Sequence, residues 1–126
     1  MTKAVELFSV AAKHAESVGL ILADTKFEFG VLPPSDSLTL EQRFILIDEA
    51  LTPDSSRYWE ASEWAEDKSM TGFDKQALRV WLRAGGGGFG KSNKEEGVEI
   101  PQDVVDETWQ RYTACYKRIT GSEFAV

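Results

Sequence analysis

The stretch GLILADTKFEFGV, residues 19–31, places Asp24, Lys26 and Glu28 at every second position. Alternate side chains of an extended strand share a face. A carboxylate, an amine and a second carboxylate would then project together, with Thr25, Phe27 and Phe29 on the other side. A second apolar segment, FILIDEA at 44–50, carries Asp48 on the face of Leu46 and Phe44. Antiparallel pairing of the two segments would bring Asp48 near Lys26 and Glu28. The apolar runs LIL and FILI precede these charges, which predicts at least partial burial. A buried ionised group needs another side chain, a metal or a ligand to compensate it. Two carboxylates of this kind suit Mg²⁺, a hard cation that takes oxygen ligands and shares them with phosphates. A solvated sheet face carrying cross-strand ion pairs satisfies the same spacing, so spacing alone leaves both readings open.

Further candidates follow the second strand. Arg57 offers a planar fork for a carboxylate or phosphate. Asp54, Ser55 and Ser56 surround it with a carboxylate, two hydroxyls and turn amides. A turn stitched by its own side chains would use the same residues. Asp74, Lys75 and Gln76 read either as a helix start or as part of a polar site.

The elements that would hold these groups can be sketched from periodicity. Ala4, Leu7, Phe8, Ala11, Ala15 and Val18 recur at helical spacing and predict a helix over 3–18, capped by Thr2 and ended by Gly19. His14 falls on its polar side and is expected to be solvated. Strands are expected at 20–30 and 44–50, joined by the long segment VLPPSDSLTLEQR. In LTPDSSRYW, Thr52 and Pro53 suit a helix N-terminus or a tight turn. DKQALRVWLR at 74–83 predicts a helix capped by Asp74, with Phe73 and Leu78 as a hydrophobic staple. Val105, Trp109, Tyr112, Tyr116 and Ile119 form an apolar stripe on a last helix from near Pro101 to before Gly121. Helices docking on a small antiparallel sheet make this an α+β chain, organised as a single domain over 1–126.

Bulk properties narrow the partners. With 126 residues, 42 % of them apolar and 28 % charged, the chain can bury a core without disulfides or structural metal. Acids exceed bases by 21 to 14, a net charge of −7, which disfavours nucleic acid and anionic membrane surfaces. The single cysteine, Cys115, allows neither an internal disulfide nor a cysteine metal cluster. No segment reaches membrane-spanning length and the amphipathic N-terminus is unlike a signal peptide, so a cytoplasmic protein is expected.

Residues 85–92, GGGGFGKS, match the phosphate-loop pattern G-x-x-x-x-G-K-[ST] at every position. The pattern binds phosphate where the loop leaves a strand and opens a helix. Here it leaves an amphipathic helix and runs into NKEEGVEIP, so 84–99 is expected to be a flexible connector.

ADTKFEFG at 23–30, LIDEALTPDSSRYW at 46–59 and FDKQALRVWL at 73–82 resemble SAICAR synthetase, the ATP-dependent ligase of purine biosynthesis that joins aspartate to the carboxylate of an aminoimidazole ribonucleotide. The ending IPQDVVDETWQRYTACYKRITGSEF is most similar to fungal members. The resemblance implies that Glu28 and Asp48 lie where the family binds Mg²⁺ and nucleotide phosphates, and Lys26 where a lysine contacts substrate and phosphate. It further implies that Asp54, Ser55 and Arg57 match the segment holding the ribonucleotide and its carboxylate, and that Asp74, Lys75 and Gln76 border the same cleft. It covers only the second half of a family enzyme; the half with the glycine-rich nucleotide loop and the adenine pocket has no counterpart. Met70 and Gly72 replace a usual Gln-x-Ser, and Ala77 and Val80 replace a usual aromatic and acid, which predicts a wider, more apolar pocket.

Three functions follow from these features. The expectation placed first is a truncated relative repurposed for ATP-independent acid/base chemistry, of cyclisation, isomerisation or lyase type, on a small molecule of fungal specialised metabolism. It would need no cofactor and would act as a homodimer. The second is the C-terminal half of a ligase, using Mg²⁺ and ATP with a separate N-terminal half. The third is a non-catalytic remnant or binding protein. In the catalytic readings Lys26, Glu28, Asp48, Asp54 and Arg57 carry the chemistry. Asp24, Ser55, Ser56, Asp74, Lys75 and Gln76 join Arg57 in binding substrate.

Overall fold

The computed structural model describes residues 2–66, 70, 72–73, 75–86 and 99–125, with Thr2, Gln76 and Ala77 described by backbone alone. Its elements are α1 (Thr2–Ser17), β1 (Leu20–Thr25), β2 (Glu28–Val31), β3 (Phe44–Ile47), β4 (Ser56–Glu60), α2 (Gln76–Arg83) and α3 (Gln102–Thr120). Short 3₁₀ turns at Glu41–Arg43 and Ala61–Glu63 precede β3 and follow β4. The α+β class stands.

α1 begins one residue earlier than expected and ends where its sequence requires. Gly19 adopts φ +76°, and its N–H reaches the Glu16 carbonyl at 3.0 Å. This left-handed position favours a residue without Cβ. α3 closes in the same way, with Gly121 at φ +72° donating to the Lys117 carbonyl at 2.8 Å. Asp103 in the first turn of α3 and Lys117 and Arg118 in the last complement its dipole. Arg118 also ties the elements together: it donates to the Val18 carbonyl at 2.7 Å and pairs with Glu60. His14 is exposed but not left to solvent, because its Nε2 donates to the Ile119 carbonyl at 2.7 Å. The docking of α1 against the end of α3 supplies that acceptor, and a helical wheel cannot show it.

The strands differ from the expectation in number and pairing. The expected strand over 20–30 is broken at residues 26–27. β1 pairs antiparallel with β4, Leu20 opposite Glu60 and Thr25 opposite Ser56, with a bulge between Leu22 and Asp24. β2 pairs antiparallel with β3, Glu28 opposite Ile47 and Val31 opposite Phe44. The expected pairing is therefore present but confined to β2 and β3. β4, which the sequence suggested as a turn or helix start, provides the second partner. Pro53 sits in the turn before it, and Ser56 and Tyr58 are buried while Arg57 between them is exposed, the alternation of a half-buried strand.

The core consists of Ala15, Leu20, Leu22, Tyr58 and Cys115, with Phe8, Ala11, Leu51, Phe73 and Ile119 packed against it. It lies between α1, the β1–β4 sheet and α3. Burial pushes the Cys115 thiol up to about 11 and the Tyr58 phenol up to about 12, so both are neutral packing groups at physiological pH. Among the described residues no helix is long and apolar enough to cross a membrane.

Candidate functional site

The strand register brings the charged residues to one place. Thr25 lies opposite Ser56 and Glu28 opposite Ile47. The exit of β1, the entry of β2, the exit of β3 and the entry of β4 therefore meet at the junction of the two sheets. Asp24, Lys26, Glu28, Asp48, Asp54, Ser55, Ser56 and Arg57 all belong to those four ends.

In the first cluster, the Lys26 ammonium lies 2.6 Å from Glu28 and 3.4 Å from Asp48. The two carboxylates thus share one cation, as the spacing suggested. The expected burial is absent. Lys26, Glu28 and Asp48 are 59 %, 46 % and 49 % exposed, because no described element lies over β2 and β3. The Lys26 pKa is raised, chiefly by its hydrogen bond with Glu28.

Asp48 is placed by its backbone. It ends β3 at φ +62°, and Leu51 has the same φ. Left-handed non-glycine residues cost of order 1–3 kcal/mol each and mark segments held by their surroundings. The hold here is visible. Leu51 packs against the core, and its carbonyl accepts the Tyr58 hydroxyl at 2.8 Å. The turn is closed by Thr52, whose hydroxyl donates to Glu49 at 2.6 Å and lies 3.0 Å from that of Ser55.

Asp24 does not join Lys26 and Glu28. The β-bulge sets it opposite Arg57, whose Nε donates to its Oδ1 at 2.8 Å while a terminal guanidinium nitrogen pairs with Oδ2. Strict alternation through 24–28 fails because the bulge and the break at residues 26–27 intervene. The hydrogen bonds from Arg57 hold the Asp24 carboxyl below its usual range, helped at longer reach by Arg79.

The third cluster links the β4 turn to the helices. Asp54 accepts from Lys75 at 2.9 Å and from the Tyr112 hydroxyl at 3.0 Å. Its carboxyl is also held low, first by Lys75 and then by Tyr112 against an opposing contribution from burial. Ser56 is buried, its hydroxyl 2.8 Å from that of Thr25. Ser55 is occupied within the turn. Asp74 lies outside the described residues, as does the side chain of Gln76, and so do residues 87–98 of the glycine-rich segment.

Tyr112 joins the site without having been singled out. Tyr112 sits in the apolar stripe of α3, where the polar end of its ring was the available signal. Gly72, at an altered position, bridges Trp59, and its carbonyl accepts from Arg111 at 2.8 Å. It lines a groove of about 440 Å³ in which the charged Glu60, Glu63, Glu107 and Arg111 alternate with the apolar Phe73 and Ala114.

Among the described residues no group of three or more His, Cys, Asp or Glu could hold a metal by itself. Two carboxylates converging on one cation do fit Mg²⁺, which takes one or two carboxylates and completes its shell with phosphate and water.

The family model for SAICAR synthetase matches residues 1–95. The phosphoribosylaminoimidazole-succinocarboxamide synthase of Corynebacterium urealyticum is 48 % identical over 98 % of this chain and 39 % of its own length. That of Saccharomyces cerevisiae is 44 % identical over 97 % of this chain and 36 % of its own. The solved Saccharomyces cerevisiae SAICAR synthase, complexed with SAICAR, superposes with a TM-score of 0.73 at 41 % identity, covering 98 % of this chain and 38 % of that one. The chain thus spans little more than a third of the length of these relatives. It belongs to the SAICAR synthetase family.

Proposed function

We propose that this chain forms the phosphate and substrate-anion side of a SAICAR-synthetase-type ligation site, completed by the remainder of that fold. The observation that supports this reading is the convergence of the Lys26–Glu28–Asp48, Asp24–Arg57 and Asp54–Lys75–Tyr112 clusters at one sheet junction. Glu28 and Asp48 would hold Mg²⁺, which supplies neutralisation of phosphate charge. Lys26, already between the two carboxylates, is a flexible point charge able to turn toward a phosphate. Arg57 presents a fork that grips Asp24 and matches a substrate carboxylate or phosphate equally well. Asp54, fixed by Lys75 and Tyr112, orders the turn that carries Arg57 into place. In the ligation the substrate carboxylate takes a phosphoryl group from ATP, and the aspartate amine then displaces phosphate to form the amide. The chain's part is orientation and electrostatic stabilisation of the transferring phosphoryl group.

ATP-independent acid/base chemistry is less well supported. It calls for a carboxyl poised near neutral pH, and Asp54, one of the groups assigned to it, is held low by Lys75. The test is a ligation assay with ATP, Mg²⁺, aspartate and the carboxyaminoimidazole ribonucleotide. The chain is combined with the segment of the Saccharomyces cerevisiae relative that lies outside the match. Amide product that requires both polypeptides supports the proposal. A folded, assembled pair that forms none contradicts it.

A further inference from the structure

The segment between β3 and β4 holds two residues at positive φ, Asp48 and Leu51, both at +62°. The two are not equivalent. Aspartate visits the left-handed region readily, whereas a bulky apolar residue stays there only when its surroundings hold it. Leu51 is held from two sides. Its side chain packs against the core, and its carbonyl accepts the Tyr58 hydroxyl at 2.8 Å. Tyr58 is itself buried, so the anchor belongs to the core rather than to the charged junction. After Leu51 the turn is cross-linked: the Ser55 N–H donates to the Thr52 hydroxyl at 3.1 Å and the Thr52 N–H to the Ser55 hydroxyl at 3.2 Å.

This turn meets the Lys26–Glu28–Asp48 cluster at both ends. Asp48 stands just before it, and its Ser55 carbonyl accepts the Lys26 backbone N–H at 3.3 Å. Lys26, Glu28 and Asp48 are half exposed and no described element covers them, so their spacing has to come from the backbone beneath. We infer that Leu51 is a positioning residue: braced by Tyr58, it fixes the chain reversal that sets Asp48 and the backbone of Lys26 relative to Glu28. Mg²⁺ demands near-ideal octahedral geometry, so a carboxylate that drifts with a loosened turn holds it less well. The metal-binding role of Asp48 rests on the proposed ligase reading. The hold of Leu51 on Asp48 rests on the backbone geometry alone.

The experiment compares variants of the full chain, each shown folded by circular dichroism. Leu51→Gly accepts a positive φ but has no side chain to anchor. Tyr58→Phe removes only the hydroxyl. Leu51→Met keeps an apolar side chain of similar volume. Leu20→Ala weakens the core at the opposite end of the β1–β4 sheet. In NMR spectra the Asp48 Cα and Cβ shifts report its φ, and the Lys26 amide shift reports its bond to Ser55. Both should leave their original positions in Leu51→Gly and Tyr58→Phe and keep them in Leu51→Met and Leu20→Ala. In the ligation assay, the Mg²⁺ concentration for half-maximal rate should rise about tenfold in the first two variants, the loss typical of removing an outer partner of a metal ligand. It should be unchanged in the other two. The inference is overturned if Leu51→Gly leaves the Asp48 and Lys26 signals in place, if Leu20→Ala moves them equally, or if all ligating variants need the same Mg²⁺. Signals that move as expected in a protein that never ligates would contradict the proposed function and leave the hold of Leu51 on Asp48 intact.

Discussion

The β1–β4 sheet and the β2–β3 ribbon are both antiparallel pairs of short strands, separated along the chain by only two residues between β1 and β2. Leu20, Leu22 and Tyr58 of the first sheet are buried between α1 and α3, whereas every residue of β3 is exposed. Their sequences do not explain the contrast, since FILI in β3 is as apolar as LIL in β1. The difference lies in what each sheet meets. α1 and α3 cover the first, and no described element covers the second. One sheet anchors the molecule while the other carries charges outward from the junction, so stability and chemistry can be separated by mutation.

The sharpest separation is expected from Leu20→Ala, which empties part of the core and should cost about 2–5 kcal/mol in chemical denaturation. Ile45→Ala in the ribbon should cost under about 1 kcal/mol. Equal costs would break the contrast. Next, Glu28→Gln should leave the denaturation midpoint within error and lower ligation by the assembled pair on the order of 10²-fold, the loss typical of removing one transition-state contact. Tyr58→Phe should follow at about 1–2 kcal/mol, because it leaves the Leu51 carbonyl without its donor and loosens the turn that sets Asp48. Its ligation loss should exceed that of a core variant of equal stability. The smallest effect is expected from pH. The unfolded Asp24 carboxyl titrates near ~3.9, and the folded one lies lower because of Arg57. Its contribution is therefore complete above the unfolded value and is lost as pH falls through the folded one. Both groups are about half exposed, so the loss should be about 0.2–1 kcal/mol, and Arg57→Gln should remove that acid-limb dependence.

The parts of the chain that sequence foretold are those governed by local rules. α1 and α3 follow helical periodicity and close on Gly19 and Gly121. The Lys26–Glu28–Asp48 cluster follows from strand alternation and one antiparallel pairing. Features that depend on distant neighbours were hidden. β4 read as a turn because Thr52, Pro53 and Asp54 dominate its start, although Tyr58 and Trp59 are good strand formers. The bulge that turns Asp24 to Arg57 has no sequence marker, and neither does the αL backbone at Asp48 and Leu51. Burial of the charges was overpredicted because apolar neighbours imply a cover only if some element supplies one. Tyr112 was hidden by its place in a stripe that periodicity assigns to packing.

Native-state hydrogen exchange on the chain alone tests the contrast most directly. The account predicts that amides of Leu20–Thr25 and Ser56–Glu60 exchange only through near-global unfolding, while those of Glu28–Val31 and Phe44–Ile47 exchange through local opening at least tenfold faster. Uniform protection across both sheets would contradict it, because the ribbon would then be as well supported as the core without any partner.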